Sequence, residues 1–354
     1  MKRNKVTLII ALILTIIALF YTFTNRNSTF SSELKDFAID DSSGVTRIFL
    51  TDKVNRKVDL VKIAPGNWTL NNNYHARNEV VEMFLKTMLD IEVKQPVPKA
   101  AHNNVVKHLA STSVKVEIYA KSFRINLFGK IKLFPYEKCI KTFYVGGATQ
   151  DNMGTYMLMD NSSVPFITHI PGFRGYLSTR FSSLEDDWRD PTIFNQKLSD
   201  IKSVSLKFVS DPNQSYSITN NGDRTFKLMS LNEGKFISGY DTNKVIDYMA
   251  SFSEIKFESL LNDLDKNRKD SIIRSKPFHI LSLTDSQGKL FTMKTYHKQA
   301  NDGEVDEFDK PVLYDRDRLY ALINNDKDFV LIQFFVCDKI LRPLNYFINN
   351  RLIK

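Results

Sequence analysis

Six histidines, one run of acids, one glycine-rich block and two cysteines are the residues of this chain whose types could do chemistry. Glu185, Asp186, Asp187 and Asp190 crowd around Trp188. Two such carboxylates would serve general acid–base or glycosidic work if they converged in a cleft with a histidine. A charged run ahead of Pro191 is equally what an exposed loop or helix cap looks like, and that is the expectation here. His102 and His108 stand six apart, about 600° along a helix, so they do not share a face as two metal ligands must. His75, His169, His279 and His297 have no carboxylate or cysteine at metal-ligand spacing and read as ordinary surface or core imidazoles.

The block Gly146-Gly147-x-x-Gln150-Asp151-x-x-Gly154-Thr-Tyr156 lacks the Lys-Ser/Thr ending and the following helix of a phosphate cradle. It reads as a hairpin loop between strands. Cys139 and Cys337 lie far apart in apolar surroundings, without a partner at C-x-x-C spacing. They either bridge in an oxidising compartment or stay as free thiols. No Gly-x-Ser-x-Gly, His-Glu-x-x-His or EF-hand pattern occurs, so neither a cofactor nor a metal is expected, and no catalytic residue is assigned.

The elements that would position such residues begin with an apolar run. Val6 to Phe23 holds no charged residue. As a helix it would span roughly 27 Å, close to the hydrocarbon thickness of a bilayer. Lys2, Arg3 and Lys5 precede it, so the positive-inside rule keeps residues 1–5 in the cytoplasm and exports the rest. The run is longer than the core of a signal peptide, and the following TNRNSTFSSE has no A-x-A site. An uncleaved signal-anchor is expected, with a cytoplasmic tail (1–5), a transmembrane helix (6–23) and a polar juxtamembrane linker (24–43). The expected location is the inner membrane, single-pass, with the bulk of the chain in the periplasm or exterior.

The net charge is +9, of which three cytoplasmic side chains account for three. The rest is spread along interleaved acids and bases, with no basic block of the kind that binds nucleic acid.

Beyond residue 43 the order strands–helix–strands occurs twice. In the first half, 45–50, 58–63 and 68–70 read as strands. A helix follows from Ala76 to Ile91, with Val80, Phe84, Met88 and Ile91 at three- and four-residue steps. Pro96 and Pro98 interrupt, and a short helix is expected around Asn103–Leu109. Strands return at 114–118, 141–145, 157–159 and 166–170.

From residue 201 the order recurs, with strands at 201–208, 216–218 and 226–228. Gly234-Lys-Phe236 echoes Gly66-Asn-Trp68, and a second helix over Thr242–Phe252 is capped by Asp241 or Thr242. Strands 278–283, 290–296, 312–314 and 329–332 complete it. The expected fold is α+β: two sequence-related lobes (44–195 and 196–354), each a mainly antiparallel sheet with a packed helix, behind a single N-terminal transmembrane helix.

The copies differ at one place. Leu283 and Leu290 are joined by a six-residue turn, whereas the equivalent connection in the first lobe, Ala120–Ile140, is about fifteen residues longer. It interleaves large apolar residues with bases, and the expectation is an extra hairpin around Gly129. Its tip, Asn126 to Lys132, should project, with Phe134 and Tyr136 packed back on the sheet. Phe123, Arg124, Phe128, Lys130, Ile131 and Lys132 are the residues expected to touch a partner or lipid headgroups.

Several blocks resemble a bacterial family of membrane-anchored envelope proteins, domain of unknown function 4340. They are Trp68 to Ile91, Pro96-x-Pro98, Lys115–Tyr119, Tyr144-Val-Gly-Gly147, Gly154–Met157, His169-Ile-Pro-Gly-Phe-Arg-Gly-Tyr-Leu-Ser-Thr-Arg180 and Trp188-Arg-Asp190. The resemblance implies an exported, anchored protein without an assigned activity, and hints at a transporter-type complex as partner. It carries over no catalytic residue. The function expected is a non-catalytic binding or scaffold subunit of an envelope complex. The alternative is an envelope enzyme acting on a glycan or peptide through the acids near Trp188.

Overall fold

The computed structural model describes residues 12–16, 36–127, 131–262 and 264–348. The expected cytoplasmic tail, most of the expected transmembrane run and residues 24–35 of the linker lie outside the described residues. Residues 12–16 are helical. Among the described residues no helix is long and apolar enough to cross a membrane.

The fold is α+β, built on two large antiparallel sheets with few helices. The chain divides into two compact units, one ending at Asp190 and one beginning at Pro191.

Unit 1 opens with strands β1 (Val45–Thr51), β2 (Lys57–Ala64), β3 (Asn67–Leu70) and β4 (Tyr74–His75). Helix α1 (Asn78–Asp90), strand β5 (Glu92–Pro96) and helix α2 (Lys99–Thr112) follow. Strands β6 (Val114–Leu127), β7 (Ile131–Ala148), β8 (Thr155–Met159) and β9 (Phe166–His169) complete a sheet ordered β4-β3-β2-β1-β6-β7-β8-β9-β5, and a single-turn helix α3 (Glu185–Trp188) closes the unit.

Strand alternation decides the layers. On β8, Met157 enters the main core, while Tyr156 and Leu158 point to the other face, where Val105 and Leu109 of α2 cover them. The main core lies between the sheet and α1. Val81, Phe84 and Met88 of α1 are buried there, whereas Val80, expected inside, is half-buried.

Packing also starts earlier than the expected boundary at residue 44. Phe37 and Ile39 are buried, and Phe37 meets Phe143 and Phe166 edge-on. A polar stretch had concealed two core residues.

Unit 2 begins with β10 (Thr192–Phe194), which pairs with the short β15 (Ile255–Lys256). Its large sheet contains β11 (Ile201–Phe208), β12 (Tyr216–Gly222), β13 (Thr225–Ser230), β14 (Lys235–Phe236), β16 (Ser259–Leu260), β17 (His279–Asp285), β18 (Leu290–Gln299), β19 (Tyr314–Ile323) and β20 (Asp328–Gln333). Their order is β14-β13-β12-β11-β17-β18-β19-β20-β16, the same sequence of placements as in unit 1.

Helix α4 (Thr242–Ala250) buries Val245, Tyr248 and Met249 on one face. Asp241 caps it by accepting from the backbone N–H of Asn243 (3.0 Å) and Lys244 (3.3 Å). On the opposite face Tyr320 and Leu322 pack with Ile272 and Ile273 of α5 (Lys266–Arg274). A last short helix, α6, covers Phe334–Cys337.

Candidate functional site

Of the acids near Trp188, Glu185 is held in structural ties. Trp188 is buried, and its indole N–H donates to the Ser182 carbonyl at 2.8 Å. Glu185 accepts from the Asn71 side-chain amide at 2.9 Å and lies 3.7 Å from the Arg189 guanidinium. Arg189 is itself buried, stacked over the Tyr74 ring at 3.6 Å. The Asp190 N–H donates to the His75 carbonyl at 3.0 Å, which is a chain tie and not a pairing of side chains.

A cleft of about 300 Å3 does lie between α1 and the segment 173–188. Its walls are Val80, Met83, Phe173 and Tyr176, with Phe84, Arg180 and Asp187 also lining it. Arg180 is fixed there, donating to the Thr87 hydroxyl at 2.8 Å and sitting over the Phe173 ring at 4.7 Å. Of Asp186, Asp187 and Asp190, only Asp187 lines the cleft, and no histidine is among the lining residues. Asp187 and Arg180 thus line one apolar-walled cleft, and the paired acids or acid and imidazole of the glycosidic expectation do not converge there.

Tyr119 of β6 is likewise committed to a structural bond. The Tyr119 hydroxyl donates to Glu117 at 2.6 Å, and this bond, with burial, pushes its pKa up to about 12. It stays protonated at neutral pH and is no base. The glycine-rich block is a close-packing device. A Cβ on Gly146 would stand 2.7 Å from Leu109 Cδ2 of α2, and one on Gly154 would stand 2.6 Å from Ile167 Cγ2. The loop is the β7–β8 connection, tied by the Thr149 N–H to the Gly154 carbonyl at 2.9 Å.

The connection Ala120–Ile140 is a continuation of β6 and β7 past the edge of the sheet. The pairing of β1 with β6 ends at Val45↔Ala120, whereas β6 and β7 stay paired, past a register shift between Ile118 and Tyr119, to Leu127↔Ile131. From Ser122 onward the two arms form a projecting ribbon, about 20 Å long at ~3.3 Å per residue.

Its register pairs Phe123 with Pro135 and Ile125 with Leu133, so these four share one face. Ile125 is 41% exposed, Leu133 47%, Phe134 65% and Tyr136 40%. This corrects the expectation that Phe134 and Tyr136 pack back on the sheet. Phe134 sits in the left-handed region (φ 57°), which a bulky side chain disfavours, just before Pro135, which has no N–H to donate.

Of the six residues expected to make contact, Phe123 is half-buried, with the Lys121 ammonium 5.7 Å from its ring centre, and Arg124 is exposed. Phe128 and Lys130 lie outside the described residues. For Ile131 and Lys132 only the backbone pairing with Leu127 and Asn126 is described. The ribbon's one acid, Glu137, accepts from the Thr46 hydroxyl at 2.6 Å. Both cysteines are free thiols, with Cys139 exposed at the ribbon's root and Cys337 buried.

Fold and site together define an α+β protein of two like-ordered antiparallel sheets, one of which extends an exposed apolar and basic ribbon. The chain belongs to the family described as Domain of unknown function (DUF4340), whose model matches residues 68–272, from Trp68 in β3 to Ile272 in α5. Comparison with curated proteins and with solved structures gives no match.

Proposed function

We propose that this protein is a non-catalytic, membrane-anchored binding or scaffold subunit of an envelope complex, held in the inner membrane by Val6–Phe23 with its two units outside the cytoplasm. In this reading the two units arose by duplication of one sheet-and-helix module, and unit 1 then lengthened one hairpin into a contact element. Phe123, Arg124, Phe128, Lys130, Ile131 and Lys132 make the contact.

The observation that carries the proposal is the exposed ribbon. Ile125, Leu133, Phe134 and Tyr136 are exposed on it, and exposed apolar surface rimmed by charge marks an interface. The single carboxylate of the Trp188 cleft supports the non-catalytic side of the reading. The resemblance to anchored envelope proteins makes a transporter-type assembly the partner to look for.

Affinity capture of the full chain from native membranes tests this. A stoichiometric partner is expected. Recovery of the chain alone, or hydrolysis of glycan or peptide that is lost in Asp187→Asn, would overturn the proposal.

A further inference from the structure

The place where the chain enters unit 1 says what the ribbon faces. Asp36, the first described residue of the linker, is clasped by Lys141. The ammonium lies 2.8 Å from its carboxylate and donates to its carbonyl at 2.9 Å. Lys141 follows Ile140, the last residue of the ribbon. At the other arm the Lys121 N–H donates to the Gly44 carbonyl at 3.0 Å, one residue before β1 starts. Strands β1 and β6 are antiparallel, so the ribbon projects beyond the end of the sheet where β1 begins. Asp36 and the root of the ribbon therefore lie together at this edge of unit 1. Thirteen residue steps separate Phe23 from Asp36, which allows at most roughly 45 Å of extended chain.

The ribbon's chemistry suits that surroundings. Lys121, Arg124, Lys130, Lys132 and Lys138 oppose the single acid Glu137. That acid is engaged by Thr46. Apolar side chains flanked by bases are the composition that settles into the headgroup layer of an anionic leaflet, the bases meeting phosphate and the apolar groups entering the acyl boundary.

We infer that the β6–β7 ribbon lies on the anionic lipid surface of the membrane that holds the tether, a second and reversible attachment. This rests on the reading of Val6–Phe23 as an anchor. The ribbon thereby holds unit 1 against the leaflet.

The chain's own tryptophans provide a clean test, because Trp68 and Trp188 are both buried and out of reach of a quencher in the lipid. Phe134→Trp places one exposed indole on the ribbon. The full-length variant is reconstituted into vesicles carrying brominated acyl chains, either phosphatidylglycerol-rich or pure phosphatidylcholine. The expected result is loss of about half of the introduced emission in the anionic vesicles and little in the zwitterionic ones. Adding Lys121→Glu and Arg124→Glu should restore most of it.

Unquenched emission in anionic vesicles overturns the inference, as does equal quenching in both lipids. So does a blue shift that depends on protein concentration and not on lipid, which would identify a second copy as the occupant. Alkaline carbonate extraction of the same vesicles reads the tether separately. A chain that is stripped yet quenched in anionic vesicles breaks the anchor reading alone, and a chain that is retained yet unquenched breaks the ribbon inference alone.

Discussion

His279 and Thr295 face each other across β17 and β18 and share one hydroxyl. The His279 backbone N–H donates to Thr295 Oγ1 at 3.1 Å, and His279 Nδ1 lies 2.9 Å from the same oxygen. Burial, with a smaller contribution from His297, lowers the His279 pKa from 6.5 to about 4. Between those values the unfolded chain holds the extra proton and the folded chain does not. The stability is thus complete above about pH 6.5 and drains away as the pH falls toward 4, by on the order of 3 kcal/mol. Thermal unfolding at pH 7 and pH 4.5 should show the drop, and His279→Asn should flatten it. Equal drops in both proteins would refute the assignment.

Phe84 is the hinge of the unit 1 core, meeting Phe181 at 5.4 Å and Trp188 at 5.8 Å, both edge-on. Phe84→Ala should cost roughly 3–5 kcal/mol in denaturant unfolding. Val80→Ala, at a half-buried position, should cost about 1 kcal/mol. Reversal of that order would mean that α1 presents a different face.

Two neighbouring glycines should behave differently. A Cβ on Gly154 would press on Ile167 at 2.6 Å and on the Thr168 carbonyl at 3.3 Å, whereas one on Gly147 meets nothing within 4 Å. Gly154→Ala is expected to destabilise by about 1–3 kcal/mol. Gly147→Ala should be close to neutral, as read from the same unfolding curves.

The thiols separate by burial. Cys139 is exposed, while burial pushes Cys337 up to about 12. In the detergent-solubilised chain one thiol should react promptly with a maleimide and the second only in denaturant. Cys139→Ser should abolish the prompt phase and leave the slow one.

Removing the ribbon should leave unit 1 folded. Replacing Ala120–Ile140 with the Thr284–Lys289 turn shortens a connection whose described side chains are largely exposed, so the unfolding free energy should change by less than about 1 kcal/mol. Loss of the cooperative transition would show that the ribbon is part of the core.

Much of the two sheets was legible because alternation is a local signal. Val114-Lys-Val-Glu-Ile118 buries Val116 and Ile118, and this pattern located β6 without knowledge of its neighbours. Where tertiary placement decides, the sequence was misleading. Pro96 reads as a breaker, yet it ends β5, an edge strand that can tolerate a missing donor. Val312–Tyr314 looked more like a strand than the charged start of β19, Tyr314-Asp-Arg-Asp-Arg, whose pairing is secured farther on by Leu319, Ala321 and Ile323. Helix α5 has only Ile272 and Ile273 to turn inward, too few for a visible period.

The echo between the halves was misaligned by one strand. Gly66 makes the β2–β3 turn while Gly234 makes the β13–β14 turn, and β4 is too short to have been seen. At the candidate contact, the mixture of apolar and basic residues was visible in the chain. The outward posture of Phe134 was not, because it depends on a left-handed backbone that no residue type announces.

The strand order carries a consequence for how the molecule is made. The first four strands of each sheet form one local meander and the four from β6 or β17 onward another, but β5 pairs with a strand synthesised long after it, Glu92 opposite His169. At ordinary rates of synthesis that gap is roughly 4–15 s. At the start of the wait Ile48, Leu50, Val58 and Leu60, all buried in the finished sheet, have α1, Phe37, Ile39 and Trp68 as cover, and the core residues of β6, β7 and β8 join only as they are made. Non-local pairing of this kind folds slowly, and it recurs in the second sheet, where Ser259 waits for Leu331. Each nascent chain thus passes twice through a state with a half-built sheet, and a holding chaperone at the site of synthesis or export would find its substrate there.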